Sequence, residues 1–301
     1  MKIRKFAAID IGSNAIRLLV HNVIEQENRE PQFHKNSLIR VPVRLGEDSF
    51  TRGRISPYNI DRMLHTMKSF KHLMRVMEVE QYRACATSAM REASNGQEVI
   101  EQIRKDTGIS VDLIDGKQEA AIIAATDLRQ LIQKEASYLY IDVGGGSTEF
   151  SLIQDGHIQD SRSFRIGTVR LLNDMVDDLI WKDIEVWIRE KCRPVPKISI
   201  IGSGGNINKL HRMSGRREGE PLSYIWLNAQ YQFLQCMTYE ERILELGLNP
   251  DRADVIIPAT RIYLLAAKWC GARRIHVPKI GLSDGIIKTL YRTQETSNPA
   301  K

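Results

Sequence analysis

No run of apolar residues in this chain approaches the ~20 that a membrane-spanning helix requires, so the sequence offers no candidate span of that kind. The N-terminal stretch MKIRKFAAIDIGSN begins basic, but Asp10 interrupts its apolar part and no small-residue cleavage site follows; export is not expected, and a cytoplasmic location is. Cysteine is scarce. Cys85, Cys192, Cys236 and Cys270 lie far apart and form no Cys-x-x-Cys or Cys/His pair with metal-ligand spacing, so reduced, mostly buried thiols are expected. A Ser/His or Cys/His nucleophile signature is also missing. With 42% hydrophobic and 27% charged residues the chain is neither disordered nor fibrous, and its 301 residues suffice for two domains with separate cores. The formal net charge of +6 implies attraction to polyanions, whether phosphate esters, nucleic acid or acidic lipid.

What the sequence does contain is a repeat. FAAIDIGSNAIRLLVHNV (Phe6 to Val23) and SYLYIDVGGGSTEFSLIQ (Ser137 to Gln154) share an apolar strand, an aspartate, a glycine two residues on, a turn of small residues and a second strand-like run. Asp10 and Asp142 stand 132 positions apart. VRLGE (Val43 to Glu47) then answers FRIGT (Phe164 to Thr168), and YRACATSAMREA (Tyr82 to Ala93) answers ISIIGSGGNINKL (Ile198 to Leu210). Lastly, LIDGKQEAAIIAATDLR, with Gly116 and Glu119, answers VPKIGLSDGIIKTLYR, with Gly281 and Asp284. Four matches in one order indicate an internal duplication. The expected fold is α/β, with lobes over residues 1–127 and 128–301 that face each other across a cleft; the last helix is free to pack back on the first lobe.

Helix signals fill the intervals. Ser56-Pro57 reads as an N-cap and first helical position, followed by Ile60, Met63, Leu64, Met67, Phe70, Leu73, Met74 and Met77 at helical spacing, which are expected in the core. Thr238 with Glu241 forms a capping-box pattern. A helix is expected from Arg252 to Cys270, kinked at Pro258 and ended by Gly271. The terminal TQETSNPAK is expected to fray.

Gly144, Gly145 and Gly146 place backbone N–H groups with no Cβ in the way, as a phosphate-binding nest does, and Ser147 and Thr148 add hydroxyls. Ser13 and Asn14 occupy the matching turn. Gly204 and Gly205, in GSGGN, end a strand and open a helix, a further anion site. Asp10, Asp142 and Glu149 beside such loops would repel phosphate unless a divalent cation lay between, and Mg²⁺ is the expected bridge; solvated carboxylates on turn flanks are the alternative. Glu119, at a helix start, either stabilises the helix dipole or acts as a general base toward water. Arg91, after a strand and a small-residue turn, is either a phosphate ligand or a surface arginine.

Taken together, AIDIGSNAIRLLV, VRLGE, ATSAMREA, DGKQEA, DVGGGSTEF, RIGTVRL, GSGGN and RADVIIPA resemble the exopolyphosphatase/guanosine pentaphosphate phosphohydrolase family, and they span nearly the whole chain. The resemblance implies two duplicated ribonuclease H-like lobes of the actin/sugar kinase/Hsp70 superfamily. It implies Mg²⁺-dependent release of terminal orthophosphate from inorganic polyphosphate or guanosine pentaphosphate. Glu119 becomes the base, Asp142 and Glu149 the metal or water-positioning acids, the Gly144–Ser147 and Ser13/Asn14 turns the cradle, and Arg91 a phosphate ligand. The implied partners are polyphosphate or a phosphorylated guanine nucleotide, without membrane or specific nucleic acid, and a homodimer is compatible with it.

The chain departs from the family pattern at Gln118, where a second glutamate is common, and at GLSDG (Gly281 to Gly285), in place of Leu-Arg-Glu-Gly. Longer members continue into a helical C-terminal region, so short substrates and low processivity are expected. Lys209, Arg212, Arg216 and Arg217 are read either as a polyanion track or as a solvated basic loop. The other functions compatible with these loops are an ATP-dependent phosphotransferase or ATPase of the same superfamily, and a protein that binds polyphosphate or guanosine tetraphosphate without turnover.

Overall fold

A computed structural model describes residues 1–124, 126, 136–195 and 197–297. In chain order the elements begin with β1 (Lys2–Ile11), β2 (Ile16–Glu25), β3 (Gln32–Val41), α1 (Leu45–Arg52), α2 (Pro57–Val76), β4 (Gln81–Ala86), α3 (Ser88–Glu92), α4 (Gly96–Thr107), β5 (Val111–Leu113) and α5 (Gly116–Ala124). There follow β6 (Tyr138–Val143), β7 (Thr148–Gln154), β8 (His157–Phe164), α6 (Thr168–Leu172), α7 (Asp178–Cys192), β9 (Ser199–Ser203) and α8 (Gly205–Met213). The last are β10 (Leu222–Ser223), α9 (Tyr224–Cys236), α10 (Tyr239–Leu244), α11 (Pro250–Ala253), α12 (Ile256–Cys270), β11 (Arg274–His276) and α13 (Leu282–Ser297).

Two compact units result: Met1–Thr126 with Leu282–Lys301, and Asp127–Gly281. The helix α13, at the end of the expected 128–301 lobe, is thus part of the first unit. In the first, the sheet order is β3-β2-β1-β4-β5; in the second it is β8-β7-β6-β9-β11-β10. Each opens with an antiparallel hairpin whose first strand pairs in parallel with the next (β1 with β4, β6 with β9). The duplication read from the sequence is therefore a duplication of topology, with β10 added at one edge. Central strands are apolar runs and not alternating ones because they are covered on both faces: Phe6–Ile11 is buried throughout and apolar except for Asp10.

The helices follow their signals. Ser56 accepts from the Asn59 N–H at the start of α2, and Met63, Met67, Phe70 and Met74 are buried on that helix. Thr238 and Glu241 complete a reciprocal capping box on α10. Leu139, Ile141, Phe150, Trp187, Ile207, Ile262 and Tyr263 belong to the core of the second unit.

Two expectations are corrected. The helix foreseen from Arg252 to Cys270 is two, α11 and α12, and Pro258 falls in the first turn of the second. Proline costs little there, because a first-turn N–H has no intrahelical partner to lose, so no kink is required. The tail expected to fray from Thr293 is helical to Ser297; the remainder, 298–301, lies outside the described residues. All four cysteines are free, and Cys236 is exposed.

Register fixes the first unit's acid. Asp10 on β1 lies directly opposite Arg17 on β2, and Arg17 Nη1 donates to Asp10 Oδ2 at 3.0 Å. Burial pushes the Asp10 carboxyl above the usual carboxylate range, and Arg17 offsets part of that push. Because the folded value lies above the unfolded one, the buried charge is a cost that appears as pH rises through the folded value and disappears below it. Arg17→Met should therefore destabilise the protein by about 2–3 kcal/mol near neutral pH. The loss should shrink in urea melts at about pH 4, as Asp10 takes up a proton. A loss of equal size at both pH values would show that Arg17 acts by packing alone.

Candidate functional site

The glycine loop of the second unit owes its shape to α6. Gly144 N–H donates to Ser147 O at 3.0 Å, closing the turn, and a Cβ at Gly144 would stand 2.9 Å from that same oxygen. The carbonyls of Gly144, Gly145 and Gly146 then accept, in order, from Thr168 N–H, from Val169 N–H and from Arg170 Nε at 3.0, 2.9 and 2.7 Å. In a trans peptide the carbonyl and the following N–H point in opposite directions. With three successive carbonyls turned toward α6, the N–H groups of Gly145, Gly146 and Ser147 are turned away from it. Gly167 makes this docking possible, since a Cβ on it would lie 2.3 Å from Gly145 O. The Thr148 hydroxyl, expected among the donors, instead donates to Ile166 O at 2.6 Å and is wholly buried.

Beside this loop are two carboxylates. Asp142 on β6 is paired directly with Glu149 on β7, which puts both side chains on one face of the sheet at adjacent positions. Glu149, whose direction the sequence left open, is 2% exposed and accepts from Ser163 Oγ at 2.8 Å. On the other side of β6, Asp142 is level with Ser203, and a Cβ on Gly204 would stand 3.5 Å from Asp142 Oδ1. Gly204, at φ 108°, adopts a conformation open to glycine and caps α8. Asp142, Gly144–Ser147, Glu149, Gly204 and Gly205 thus come together at the ends of β6 and β9.

An arginine that the sequence reading did not single out joins them. Arg252, from α11, donates through Nη1 to Gly205 O at 3.3 Å, and its Nη2 is 3.2 Å from where a Gly205 Cβ would stand. Glycine at 205 makes room for a guanidinium at the start of α8; the signal lay in RADVIIPA, read only for its resemblance. Of the basic residues after GSGGN, Lys209 directs Nζ to Leu246 O at 3.2 Å and Gly247 O at 3.5 Å. Burial and the nearby Arg212 and Arg252 lower its pKa. Arg216 and Arg217 are on an exposed turn.

The first unit repeats the construction with other residues. Gly12 N–H donates to Ala15 O at 3.1 Å, and the carbonyls of Ser13 and Asn14 accept from Gly46 and Arg44 N–H at 2.8 and 3.0 Å. Gly46, like Gly167, is held against the turn: a Cβ would stand 3.0 Å from Ser13 Cβ. The Ser13 hydroxyl is buried against Ser88 Oγ at 3.0 Å. Arg91, on α3, is half-buried and donates through Nη1 to Ile114 O at 2.6 Å, tying α3 to the turn that leads into α5. There Asp115 and Gln118 bond reciprocally, Asp115 N–H to Gln118 Oε1 at 2.9 Å and Gln118 N–H to Asp115 Oδ1 at 2.8 Å. Gln118, the departure from the family pattern, is therefore the N3 member of a capping box whose N-cap is Asp115. Glu119 follows it, 8% exposed. Asp10 and Glu119 both lie within electrostatic reach of Cys85 on β4, whose thiol is pushed up to about 12, mainly by burial.

Among the described residues no group of three or more His, Cys, Asp or Glu is placed to hold a metal. Asp142 and Glu149 nevertheless fit Mg²⁺, which is held by one or two carboxylates and completes its shell with water and phosphate oxygens. Asp10, also expected as a ligand, has Oδ2 engaged by Arg17. No helix among the described residues is long and apolar enough to cross a membrane.

These features have counterparts in known proteins. Residues 23–293 match the model of the Ppx/GppA phosphatase family. Exopolyphosphatase 1 of Mycobacterium tuberculosis is 23% identical over 303 residues, covering 94% of this chain and 87% of its own. The crystal structure of an exopolyphosphatase from Cytophaga hutchinsonii superposes with a TM-score of 0.79 at 27% identity, covering 96% of this chain and 98% of its own. That of the Aquifex aeolicus family member gives a TM-score of 0.76 at 23% identity, covering 97% and 99%. With a match of this extent, and the same α/β architecture in solved members, the chain belongs to the Ppx/GppA phosphatase family.

Proposed function

We propose that the chain is a Mg²⁺-dependent phosphohydrolase that releases terminal orthophosphate from inorganic polyphosphate, and acts on guanosine pentaphosphate by the same chemistry. One observation supports the reading: three successive glycine carbonyls are drawn to α6, which turns the N–H groups of the next residues the other way, in the loop beside the Asp142/Glu149 pair. Such N–H donors bind phosphate oxygens, and paired carboxylates beside them call for a cation.

Each unit's part can be stated by itself. In the second, the N–H groups of Gly145 to Ser147 and the first turn of α8 with Arg252 bind and orient phosphate oxygens, and Asp142 and Glu149 would hold the metal. Bound Mg²⁺ would supply charge neutralisation on the phosphate oxygens. In the first, Asn14 and Arg91 are phosphate-facing donors and Glu119 takes the proton of the attacking water. The water oxygen forms the new bond to the terminal phosphorus, the anhydride P–O bond breaks, and the shortened chain leaves as a phosphate anion.

The reading is tested by phosphate release from polyphosphates of defined length and from guanosine pentaphosphate, with and without Mg²⁺. Glu119→Gln should leave the protein folded and substrate bound, yet lower release by roughly 10²-fold or more, the scale of a general base. Near-normal turnover in this variant would remove Glu119 from the role, and binding without hydrolysis by the wild-type protein would favour a non-catalytic one.

A separate titration addresses the acids. Asp142→Asn and Glu149→Gln should each raise the Mg²⁺ concentration at half-maximal rate by roughly tenfold or more, as loss of one of two carboxylate ligands implies. An unchanged Mg²⁺ dependence in both variants would exclude them as ligands.

A further inference from the structure

The segment GLSDG, where the chain departs from its family, is built into the support of Glu119. Helix α5 has only nine residues, too few to be stable by itself in water, so what holds Glu119 in place must come from outside the helix. Its N-terminal end is capped by Asp115 and Gln118. One turn beyond Glu119, α13 crosses Ile122 backbone to backbone. A Cβ on Gly285 would stand 2.2 Å from Ile122 O and 2.8 Å from its carbonyl carbon, a contact that no other residue allows. Three residues further along α13, on the same face, Lys288 Nζ donates to Thr126 O at 2.7 Å, just past the C-terminal end of α5. A cation near that end suits the helix dipole.

The helix that does this is itself fixed to the first unit's sheet. The buried Asp284 carboxylate meets Lys35 Nζ at 3.0 Å and His21 Nε2 at 3.4 Å, on β3 and β2. Arg4 Nη2 donates to Gln294 Oε1 at 2.7 Å, and Tyr291 packs edge-on against both Phe6 and Phe33. Lys288 Nζ also lies 5.4 Å from the centre of the Phe33 ring. The sheet therefore sets α13, and α13 sets α5 at Ile122 and at Thr126.

We propose that α13 is a brace for the catalytic helix, with Lys288 and Gly285 as positioning residues that fix Glu119 through α5 and Asp284 as the anchor of the brace. The proposal rests on the reading of Glu119 as the base. Misplacing such a group by about 1 Å can cost on the order of 10²-fold in rate, so a loosened brace should be visible in turnover.

The test uses Lys288→Met, which keeps most of the apolar stem and loses the donor, with Lys288→Arg as the conservative variant. Lys288→Met should lower kcat for phosphate release roughly tenfold with KM within about twofold, and Lys288→Arg should restore most of it. In a Glu119→Gln background the same change should have little further effect, because nothing is left to position. Equal losses in both backgrounds, or a parallel rise in KM, would overturn the proposal. So would a normal kcat in Lys288→Met. A second measurement is independent of turnover: the amides of α5 should exchange with solvent at least roughly tenfold faster in Lys288→Met while those of β1 and β4 are unchanged. Unaltered protection of α5 would overturn the brace whatever the protein hydrolyses, whereas loss of the Glu119→Gln effect alone would overturn only the base assignment.

Discussion

Backbone pressed against glycine is the constraint on which the rest of the structure depends. It occurs where Gly167 meets Gly145, where Gly46 meets Ser13 and where Gly285 meets Ile122. In the first two, an element arriving after the hairpin docks on the hairpin's turn, captures its carbonyls and so decides where its N–H groups face. In the third, a helix from the far end of the chain docks on the helix that carries Glu119. A side chain at any of these points would separate the two backbones, and the donors and the carboxylate would lose the directions that give them chemical meaning. Glycine is used here for proximity; none of the three has the positive φ that would require it on conformational grounds.

The duplicated hairpins show how one scaffold divides into two roles. Asp10 and Asp142 occupy equivalent strand positions, yet the residue facing the first is Arg17 and the residue facing the second is Glu149. An aspartate facing arginine is compensated within its own sheet. Two carboxylates at ~5 Å, by contrast, repel by about 3 kcal/mol at an effective dielectric of ~20. On the proposed reading, such a pair is where the cation would sit. The divergence also extends to the paired helices, since α5 and α13, which match in sequence, both belong to the first unit. One carries the acid at the head of its first turn, and the other supports it.

Much of this was legible in the residues. The four matched segments become equivalent strands and helices, because strand, turn and strand is a local pattern that sequence records directly. The caps of α2 and α10 were equally local, whereas the cross-strand pairs, Arg17 opposite Asp10 and Glu149 opposite Asp142, came only with the strand register. What could not be read was non-local. Thr148 and Ser13 looked like donors, but the hydroxyl of one turns inward to Ile166 and the other pairs with Ser88, residues distant in sequence. Arg252 reaches Gly205 across 47 positions, and Pro258 looked like a kink because the break at Asp254 and Val255 has no glycine to announce it.

Two of the substitutions that set this chain apart from its family's pattern, Gln118 and Asp284, fit one logic. Gln118 cannot act as an acid, but as the third residue of a capping box it can do what a glutamate would do there, accepting from the Asp115 N–H without adding a second negative charge next to Glu119. Asp284 has a shorter side chain than the glutamate of the usual pattern, yet its carboxyl stays held below the usual carboxylate range: burial alone would raise it, and His21 and Lys35 more than compensate. Both changes leave the charge at the site itself on Glu119 and give the neighbouring acid or amide a partner of its own.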